Sequence, residues 1–189
     1  GRLSGAVVNC LFRDRRGVLW VGTGDRGLSQ LDSTTGHFRA HGHDPGDPRS
    51  LSDDRVTALA EDSEGYLWVG TANGISRFDP ERRSFERLSA NVDDPGALPS
   101  PVVGAILVDR DGSVWVGTDG GGLSRYDPTT RRFTHYRHSR SESRTLASNV
   151  VRTILQDRSG DLWIGHFPAG VSHADRLVAP FRVFSSVPG

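Results

Sequence analysis

The chain has 189 residues, with 23 acidic and 23 basic side chains, so its formal net charge at pH 7 is zero. This balance argues against a dominant basic surface, and so against binding to nucleic acid or to an anionic membrane surface. All the basic residues are arginine and Cys10 is the one cysteine, which excludes a Schiff-base lysine, an intrachain disulfide and a paired-cysteine zinc site.

The chain repeats one pattern four times. Its four tryptophans are spaced 48, 47 and 48 residues apart: Trp20, Trp68, Trp115 and Trp163. An aspartate precedes each tryptophan by six residues: Asp14, Asp62, Asp109 and Asp157. Glycines recur three residues before and two residues after each tryptophan. We therefore divide the chain into four units, approximately residues 5–52, 53–100, 101–148 and 149–189.

The second unit shows what each repeat contains. Its β-compatible runs are 56–61, 66–71, 75–79 and 84–88, and the Asp62–Gly65 segment forms a turn between the first two. Four short strands in a repeat of this length are typical of a β-propeller blade. The predicted fold is therefore all-β, with four blades of four antiparallel strands each, as part of a larger propeller.

The repeated residues have structural roles in this interpretation. The tryptophans fill the space between neighbouring blades, and each aspartate closes a turn by accepting hydrogen bonds from nearby backbone amides. Gly22 and its equivalents are expected to allow close approach of backbones. Calcium binding by the aspartates is an alternative with weaker support, because only the third repeat has a second aspartate, Asp111.

The repeats resemble those of the two-component regulator propeller family. The resemblance is carried by AEDSEGYLWVGTANGISRFDP at 60–80 and LVDRDGSVWVGTDGGGLSRYDP at 107–128, and it covers essentially the whole chain. The fourth repeat departs from the pattern where His166-Phe167-Pro168-Ala169 replaces the usual turn, so that turn is expected to be reshaped.

This resemblance implies a sensor. Such repeats form the extracytoplasmic input region of bacterial hybrid histidine kinases and of some diguanylate cyclases, which implies a periplasmic location and no catalysis by this segment itself. No apolar run approaches the roughly 18 residues of a membrane span, and residues 1–4 show no signal-peptide profile.

Propellers of this family commonly have seven blades, so four repeats pose the question of closure. An open arc of four exposes an apolar face at each end. The alternatives are a closed four-bladed ring, the pairing of two arcs, and an arc of a larger propeller. We favour the last, with the remaining blades of the parent protein or a second copy as partner.

Ligand recognition is expected in the turns between the second and third strands. Residues there vary while the surrounding pattern repeats, which releases them from packing constraints. The candidates for ligand binding include one residue at the start of a first strand, Arg152, and five turn residues: Asp25, Arg26, Asn73, Asp119 and His166. The resemblance implies a small molecule, often a carbohydrate, and no metal or cofactor is predicted.

Two other functions stay open. The chain is a protein–protein interaction scaffold if it binds no small molecule, and an enzyme of lyase or glycosidase type if its histidines act in catalysis. His41 and His43 share a loop with Asp44 and Asp47, which is weakly suggestive of a metal site. No Gly-x-Ser-x-Gly motif is present.

Overall fold

Sixteen β-strands form the regular secondary structure in the computed structural model, which describes residues 3, 5, 7–142, 144–175 and 178–184. They make four antiparallel sheets of four strands, and within each sheet the strands follow one another in chain order. The described residues contain no helix, and so none that is long and apolar enough to cross a membrane. The prediction of four blades of four antiparallel strands is confirmed.

The sheets are numbered in chain order. The first two consist of β1 Val8–Arg13, β2 Leu19–Thr23, β3 Leu28–Leu31, β4 Phe38–His41, β5 Val56–Glu61, β6 Leu67–Thr71, β7 Gly74–Asp79 and β8 Ser84–Leu88. The last two consist of β9 Val103–Val108, β10 Val114–Thr118, β11 Gly122–Asp127, β12 Arg132–Tyr136, β13 Val151–Gln156, β14 Leu162–His166, β15 Gly170–Asp175 and β16 Val178–Phe184.

One aspartate organises the turn between the first and second strands of each sheet. In the second sheet, Asp62 Oδ1 accepts hydrogen bonds from the backbone amides of Glu64 and Tyr66 at 3.1 and 3.0 Å. Its Oδ2 accepts a hydrogen bond from Trp68 Nε1 at 2.8 Å. The same side-chain bond recurs in the other sheets: Asp14–Trp20 at 2.9 Å, Asp109–Trp115 at 2.8 Å and Asp157–Trp163 at 2.8 Å. Each aspartate therefore closes its turn and also fixes the orientation of the tryptophan.

A threonine closes the turn between the second and third strands in three sheets. Its Oγ1 donates to the carbonyl of a glycine at the start of the third strand: Thr23 to Gly27 at 2.8 Å, Thr71 to Gly74 at 2.9 Å and Thr118 to Gly122 at 3.3 Å. In the fourth sheet His166 takes the place of the threonine, and the turn contains a cis Phe167–Pro168 peptide bond.

The chain forms two compact units of two sheets each. Unit 1 comprises Gly1–Ala90 and Pro101–Val103, and unit 2 comprises Asn91–Ser100 and Gly104–Gly189. The core of unit 1 contains Trp20, Leu28, Leu51, Val56, Leu67, Val69, Phe78 and Phe85. The core of unit 2 contains Leu123, Leu146, Val151, Leu162, Ile164 and Phe181. Each such side chain contributes about 1.5–3 kcal/mol on full burial, so contact between the two sheets stabilises each unit.

The structure gives a different reason from the one predicted for the glycine that lies two residues after each tryptophan. A Cβ atom on Gly22 would lie 2.5 Å from Cys10 Sγ and 2.6 Å from Val56 Cγ1. A Cβ atom on Gly117 would lie 2.3 Å from Val151 Cγ1. The expectation of close backbones is therefore wrong at these positions. The glycine instead makes room for apolar side chains of the neighbouring strand and sheet.

Candidate functional site

The predicted ligand residues of unit 1 lie in exposed turns. Arg26 Nε and Asp25 Oδ2 are 4.0 Å apart, and their side chains are 70% and 56% exposed. Asn73 lies between β6 and β7, where its backbone amide donates to Thr71 Oγ1 at 3.0 Å. An ion pair this exposed contributes only about 0–1 kcal/mol, so solvent or a ligand easily replaces it.

Two predicted ligand residues of unit 2 are brought together. Arg152, on β13, donates from its terminal nitrogen to Asp119 Oδ2 at 3.1 Å, although 33 positions separate them in sequence. The side chains are half to one-third exposed, which leaves hydrogen-bonding capacity on both groups for a ligand.

Backbone contacts hold the Asp119 turn in place. Asp119 and Val150 form an isolated antiparallel bridge, and the amides of Gly120 and Gly122 both donate to the Asn149 carbonyl, at 3.0 and 2.9 Å. Ser100 Oγ donates to the Asp119 carbonyl at 2.6 Å. The carboxylate is therefore presented by a backbone that is fixed on both sides.

Phe167 completes this group and is not among the ligand-binding residues predicted from the sequence. Its ring is 63% exposed, and the Arg152 guanidinium lies 6.0 Å from the ring centroid. The other three repeats have Gly24, Ala72 and Asp119 at this position, so a large aromatic here was a readable signal. Asp119, Arg152 and Phe167 are called the turn cluster below.

His166 is turned away from the turn cluster and into its own sheet. Its Nε2 is 2.9 Å from Ser172 Oγ, and burial lowers the pKa of the imidazole. A histidine beside a serine is the pairing of an acyl-transfer enzyme, but Ser172 is fully buried and its Oγ accepts a hydrogen bond from the Ala147 amide. Ser76, at the equivalent position, likewise binds the loop residue Ser52. The pair is therefore part of a repeated structural network.

His41, at the end of β4, and the loop residue His43 also have structural contacts. His41 lies among the rings of Trp20, Phe78 and Phe85, at centroid distances of 5.8, 5.5 and 5.7 Å. The ring of His43 contacts the Leu51 carbonyl through Nδ1 at 2.7 Å. In the part of the chain that the structure describes, no group of three or more His, Cys, Asp or Glu side chains is arranged to hold a metal ion.

The turn cluster offers a carboxylate, a guanidinium and an exposed aromatic face. Such a set recognises a ligand with polar groups along one edge and an apolar face, since the ring stacks while the charged groups donate and accept hydrogen bonds.

The family model of the two component regulator propeller matches four stretches of the chain, residues 2–25, 50–73, 97–120 and 145–167, together half of its length. Each stretch contains the aspartate and the tryptophan of one repeat and ends in the turn between the second and third strands. The chain therefore belongs to the two-component regulator propeller family, as the resemblance of its repeats predicted.

Solved structures of similar fold include two extracellular domains described as parts of hybrid two component systems of B. thetaiotaomicron. The first has a TM-score of 0.76 and 22% identity, and the match covers 91% of this chain and 22% of that chain. The second has a TM-score of 0.67 and 22% identity, and the match covers 100% of this chain and 30% of that chain. The chain thus spans less than a third of either relative, and the likeness shows the propeller fold.

Virginiamycin B lyase from Staphylococcus aureus also has a similar fold. Its TM-score is 0.69 at 14% identity, and the match covers 96% of this chain and 56% of that chain. The fold is therefore shared by extracellular domains of two component systems and by an enzyme, and it does not by itself decide the function. No curated protein matches the chain.

Proposed function

We propose that the chain is a ligand-sensing propeller segment of a bacterial two-component-type sensor, that it lies in the periplasm, and that it is not itself catalytic. Membership of the regulator propeller family supports the sensor role. The description of similar structures as extracellular domains supports the location. The observation that carries the proposal is the turn cluster, because Phe167 is an exposed aromatic side chain beside the Asp119–Arg152 ion pair.

A carbohydrate fits this cluster. The C–H face of a sugar ring stacks on an aromatic side chain, while the hydroxyl groups of the sugar bind charged groups at its edge. Phe167 supplies the first contact, and Asp119 and Arg152 supply the second. Asp119 lies at a turn whose backbone is fixed and Arg152 lies on strand β13, which lowers the entropic cost of binding.

Thermal unfolding in the presence of neutral and acidic oligosaccharides tests the proposal. A probe at about 100 times its dissociation constant adds roughly 2.7 kcal/mol, which raises the unfolding temperature by at least about 5 °C in a chain of this size. We expect F167A and R152Q to abolish this shift. The control R82Q, which changes an exposed arginine outside the candidate residues, is expected to retain it. Stabilisation that F167A and R152Q both retain, or no stabilisation by any probe, would contradict the proposal.

Two exposed apolar surfaces favour a second, partner-binding role. Leu11 is 64% exposed, whereas Leu59, also three residues before its repeat aspartate, packs against the core of unit 1. Leu155 is 60% exposed, whereas Leu107, also two residues before its repeat aspartate, packs against the core of unit 2. Phe184, on β16, is 54% exposed. The first and last sheets therefore leave uncovered the positions that inside each unit pack against a neighbouring sheet.

We propose that another blade of the same repeat covers each of these surfaces, supplied by the parent protein or, for the isolated chain, by a second copy. Light scattering on residues 1–189 at micromolar concentration tests this. A mass of two chains or more is expected. A monomer with no exposed apolar surface detectable by a fluorescent dye would overturn it and favour a closed ring of four blades.

A further inference from the structure

A pocket of about 320 Å³ lies in unit 2, beside the loop that follows β8. Its lining includes the loop residues Asn91, Asp94 and Ala97. His135, on β12, and Arg137, which directly follows that strand, also line it. Drug-sized ligands occupy roughly 300–1,000 Å³, so a pocket of this volume suits a small molecule.

The matching loop of unit 1, which follows β4, is held together by two side chains. Arg87 donates from a terminal nitrogen to the carbonyls of Asp44 and Asp47 at 3.1 and 2.9 Å. Ser50 Oγ donates to the same two carbonyls at 3.0 and 2.9 Å. Each carbonyl of this pair therefore accepts hydrogen bonds from a guanidinium and from a hydroxyl group.

The loop beside the pocket has neither of these side chains. His135 takes the position of Arg87, since each pairs with the serine of the third strand in its own sheet. Ala97 takes the position of Ser50, since each directly precedes the buried leucine of its loop. The loop that follows β12 keeps the hydroxyl group, in Thr145, which donates to two carbonyls of that loop. The pocket therefore lies where unit 1 has a guanidinium and a hydroxyl group.

The carbonyls that lack these donors are those of Asn91 and Asp94. In the described part of the chain each accepts one hydrogen bond, from the amides of Asp94 and Ala97 at 3.3 and 3.0 Å respectively. A carbonyl oxygen has two lone pairs, so each keeps an acceptor position for a ligand. Arg132 does not use these positions, because its terminal nitrogen donates to the Asp94 carboxylate.

His135 does not replace the missing guanidinium. Its Nε2 lies 3.1 Å from the Pro95 carbonyl, and its Nδ1 lies 2.8 Å from Ser124 Oγ. Because a carbonyl can only accept, Nε2 carries the proton and Nδ1 accepts from the serine hydroxyl. Burial lowers the pKa of His135, which favours this neutral form of the imidazole. The ring is therefore held by its own partners and brings no positive charge to the loop carbonyls.

A positive charge lies at the same pocket. Arg137 is exposed and forms no ion pair with a carboxylate in the described ranges of the chain. Asp94, the acidic residue of the lining, is already paired with Arg132. A ligand with only a cationic group would be repelled by Arg137, whereas a ligand that also has a carboxylate gains a charged partner through paired N–H donors.

We propose that this pocket binds a small guanidino acid, that is, a molecule with a guanidinium group at one end and a carboxylate at the other. Its guanidinium donates to the carbonyls of Asn91 and Asp94, as Arg87 does to their counterparts in unit 1, and its carboxylate pairs with Arg137. The planar guanidinium directs several N–H groups outward, so one group reaches both carbonyls. The lining residues differ from those of the turn cluster, so the inference does not depend on the carbohydrate proposal.

Calorimetric titration of residues 1–189 with three matched probes tests which groups of the ligand are required. The probes are 4-guanidinobutyrate, 4-ureidobutyrate, in which a neutral urea replaces the guanidinium, and butylguanidine, which lacks the carboxylate. We expect 4-guanidinobutyrate to bind and each of the others to bind at least about tenfold more weakly. The urea turns an acceptor towards the loop carbonyls, and butylguanidine leaves Arg137 without a partner. Equal binding of 4-ureidobutyrate, or no binding of 4-guanidinobutyrate at millimolar concentration, would overturn the proposal.

Variants that copy unit 1 into unit 2 test the location. H135R supplies the guanidinium from the chain itself, and A97S supplies the hydroxyl group. Each is expected to weaken 4-guanidinobutyrate binding, H135R at least about tenfold, while the control R82Q in an exposed turn of unit 1 leaves it unchanged. R137Q is expected to remove the preference for 4-guanidinobutyrate over butylguanidine. Circular dichroism verifies that each variant folds. Unchanged binding in both H135R and A97S, or a preference for the carboxylate that R137Q retains, would overturn the assignment.

Discussion

At the scale of single residues, the hydrogen bond from Trp68 Nε1 to Asp62 Oδ2 explains why the six-residue spacing recurs. Asp62 is 7% exposed, and its two oxygens serve different donors. Oδ1 closes the turn by accepting hydrogen bonds from two backbone amides, and Oδ2 holds the Trp68 indole by accepting one from Nε1. A side chain with two acceptor oxygens is required for both tasks at once.

Replacing Asp62 with asparagine tests this dual role. Asparagine has an NH₂ group in place of one of the two carboxylate oxygens. This NH₂ group faces either Trp68 Nε1 or the turn amides, so at least one buried donor loses its acceptor. We expect the free energy of unfolding to fall by about 1–3 kcal/mol, measured by urea titration with tryptophan fluorescence. The control E81Q removes a carboxylate from an exposed turn and is expected to change it by less than about 0.5 kcal/mol. Equal stability of D62N and wild type would show that the spacing has another cause.

His41 is a second residue whose surroundings determine its chemistry. It occupies the position of Leu88 in the second sheet and Tyr136 in the third, as the strand registers show. Burial, with smaller contributions from the positive charges of Arg39 and Arg83, lowers the pKa of His41 from 6.5 to about 4. The folded state therefore favours the neutral imidazole, and stability is lost as pH falls from 6.5 towards 4.

Because Leu88 occupies the position of His41 in the second sheet, the variant H41L tests this pH dependence. At pH 5 the unfolded chain is protonated at this histidine and the folded chain is not, which costs wild type about 2 kcal/mol relative to pH 7. Between pH 7 and pH 5, the free energy of unfolding of H41L is expected to fall by about 2 kcal/mol less than that of wild type. Urea unfolding at both pH values measures this difference. The exposed-site control H37Q is expected to behave as wild type. A loss in H41L as large as in wild type would place the acid sensitivity elsewhere.

At the scale of elements, one arginine holds the loop that leads from the first sheet into the second. Arg87, on β8, donates from Nε to the Ser50 carbonyl at 3.0 Å. Its terminal nitrogen donates to the carbonyls of Asp44 and Asp47 at 3.1 and 2.9 Å. The loop has no regular secondary structure, so these bonds satisfy backbone carbonyls that a strand would otherwise pair.

Removing this arginine is expected to loosen the loop without unfolding the sheets. In R87Q we expect trypsin to cleave after Arg49 at least about tenfold faster than in wild type, because local opening governs proteolysis of a held loop. Mass spectrometry of the fragments identifies the site. R82A, which removes an arginine from an exposed turn of the same sheet, serves as control. Unchanged cleavage after Arg49 in R87Q would mean that other contacts hold the loop.

The strands were predictable because the sequence pattern of each strand occurs in all four repeats. In the second sheet, the predicted strands 56–61 and 84–88 coincide with β5 and β8. The side-chain pairing in the turn cluster was not predictable, since Asp119 and Arg152 come from different sheets and meet only after folding. Phe167 was not predicted because all the predicted ligand residues were polar, although the other repeats have small or acidic residues at this position.

At the scale of the whole molecule, equivalent residues differ in what covers them. Leu107 packs against the core of unit 2, whereas Leu155, at the same place in the next repeat, is 60% exposed. In a repeat protein, stability comes from each unit and from the interface with its neighbour, so a last sheet lacks one such contribution. The same leucine therefore stabilises the fold at one position and is exposed at the other.

This difference in exposure predicts that replacing leucine with serine has different effects at positions 107 and 155. L107S is expected to lower the free energy of unfolding by roughly 2 kcal/mol, because serine removes apolar contacts between the two sheets of unit 2. L155S is expected to change it by less than about 0.5 kcal/mol at concentrations where the chain is monomeric, but to weaken self-association at least about tenfold. Urea unfolding measures the first effect, and light scattering over a concentration series measures the second. If L155S destabilises the dilute chain as much as L107S does, another part of the chain already covers Leu155, and the proposed partner surface on the last sheet does not exist.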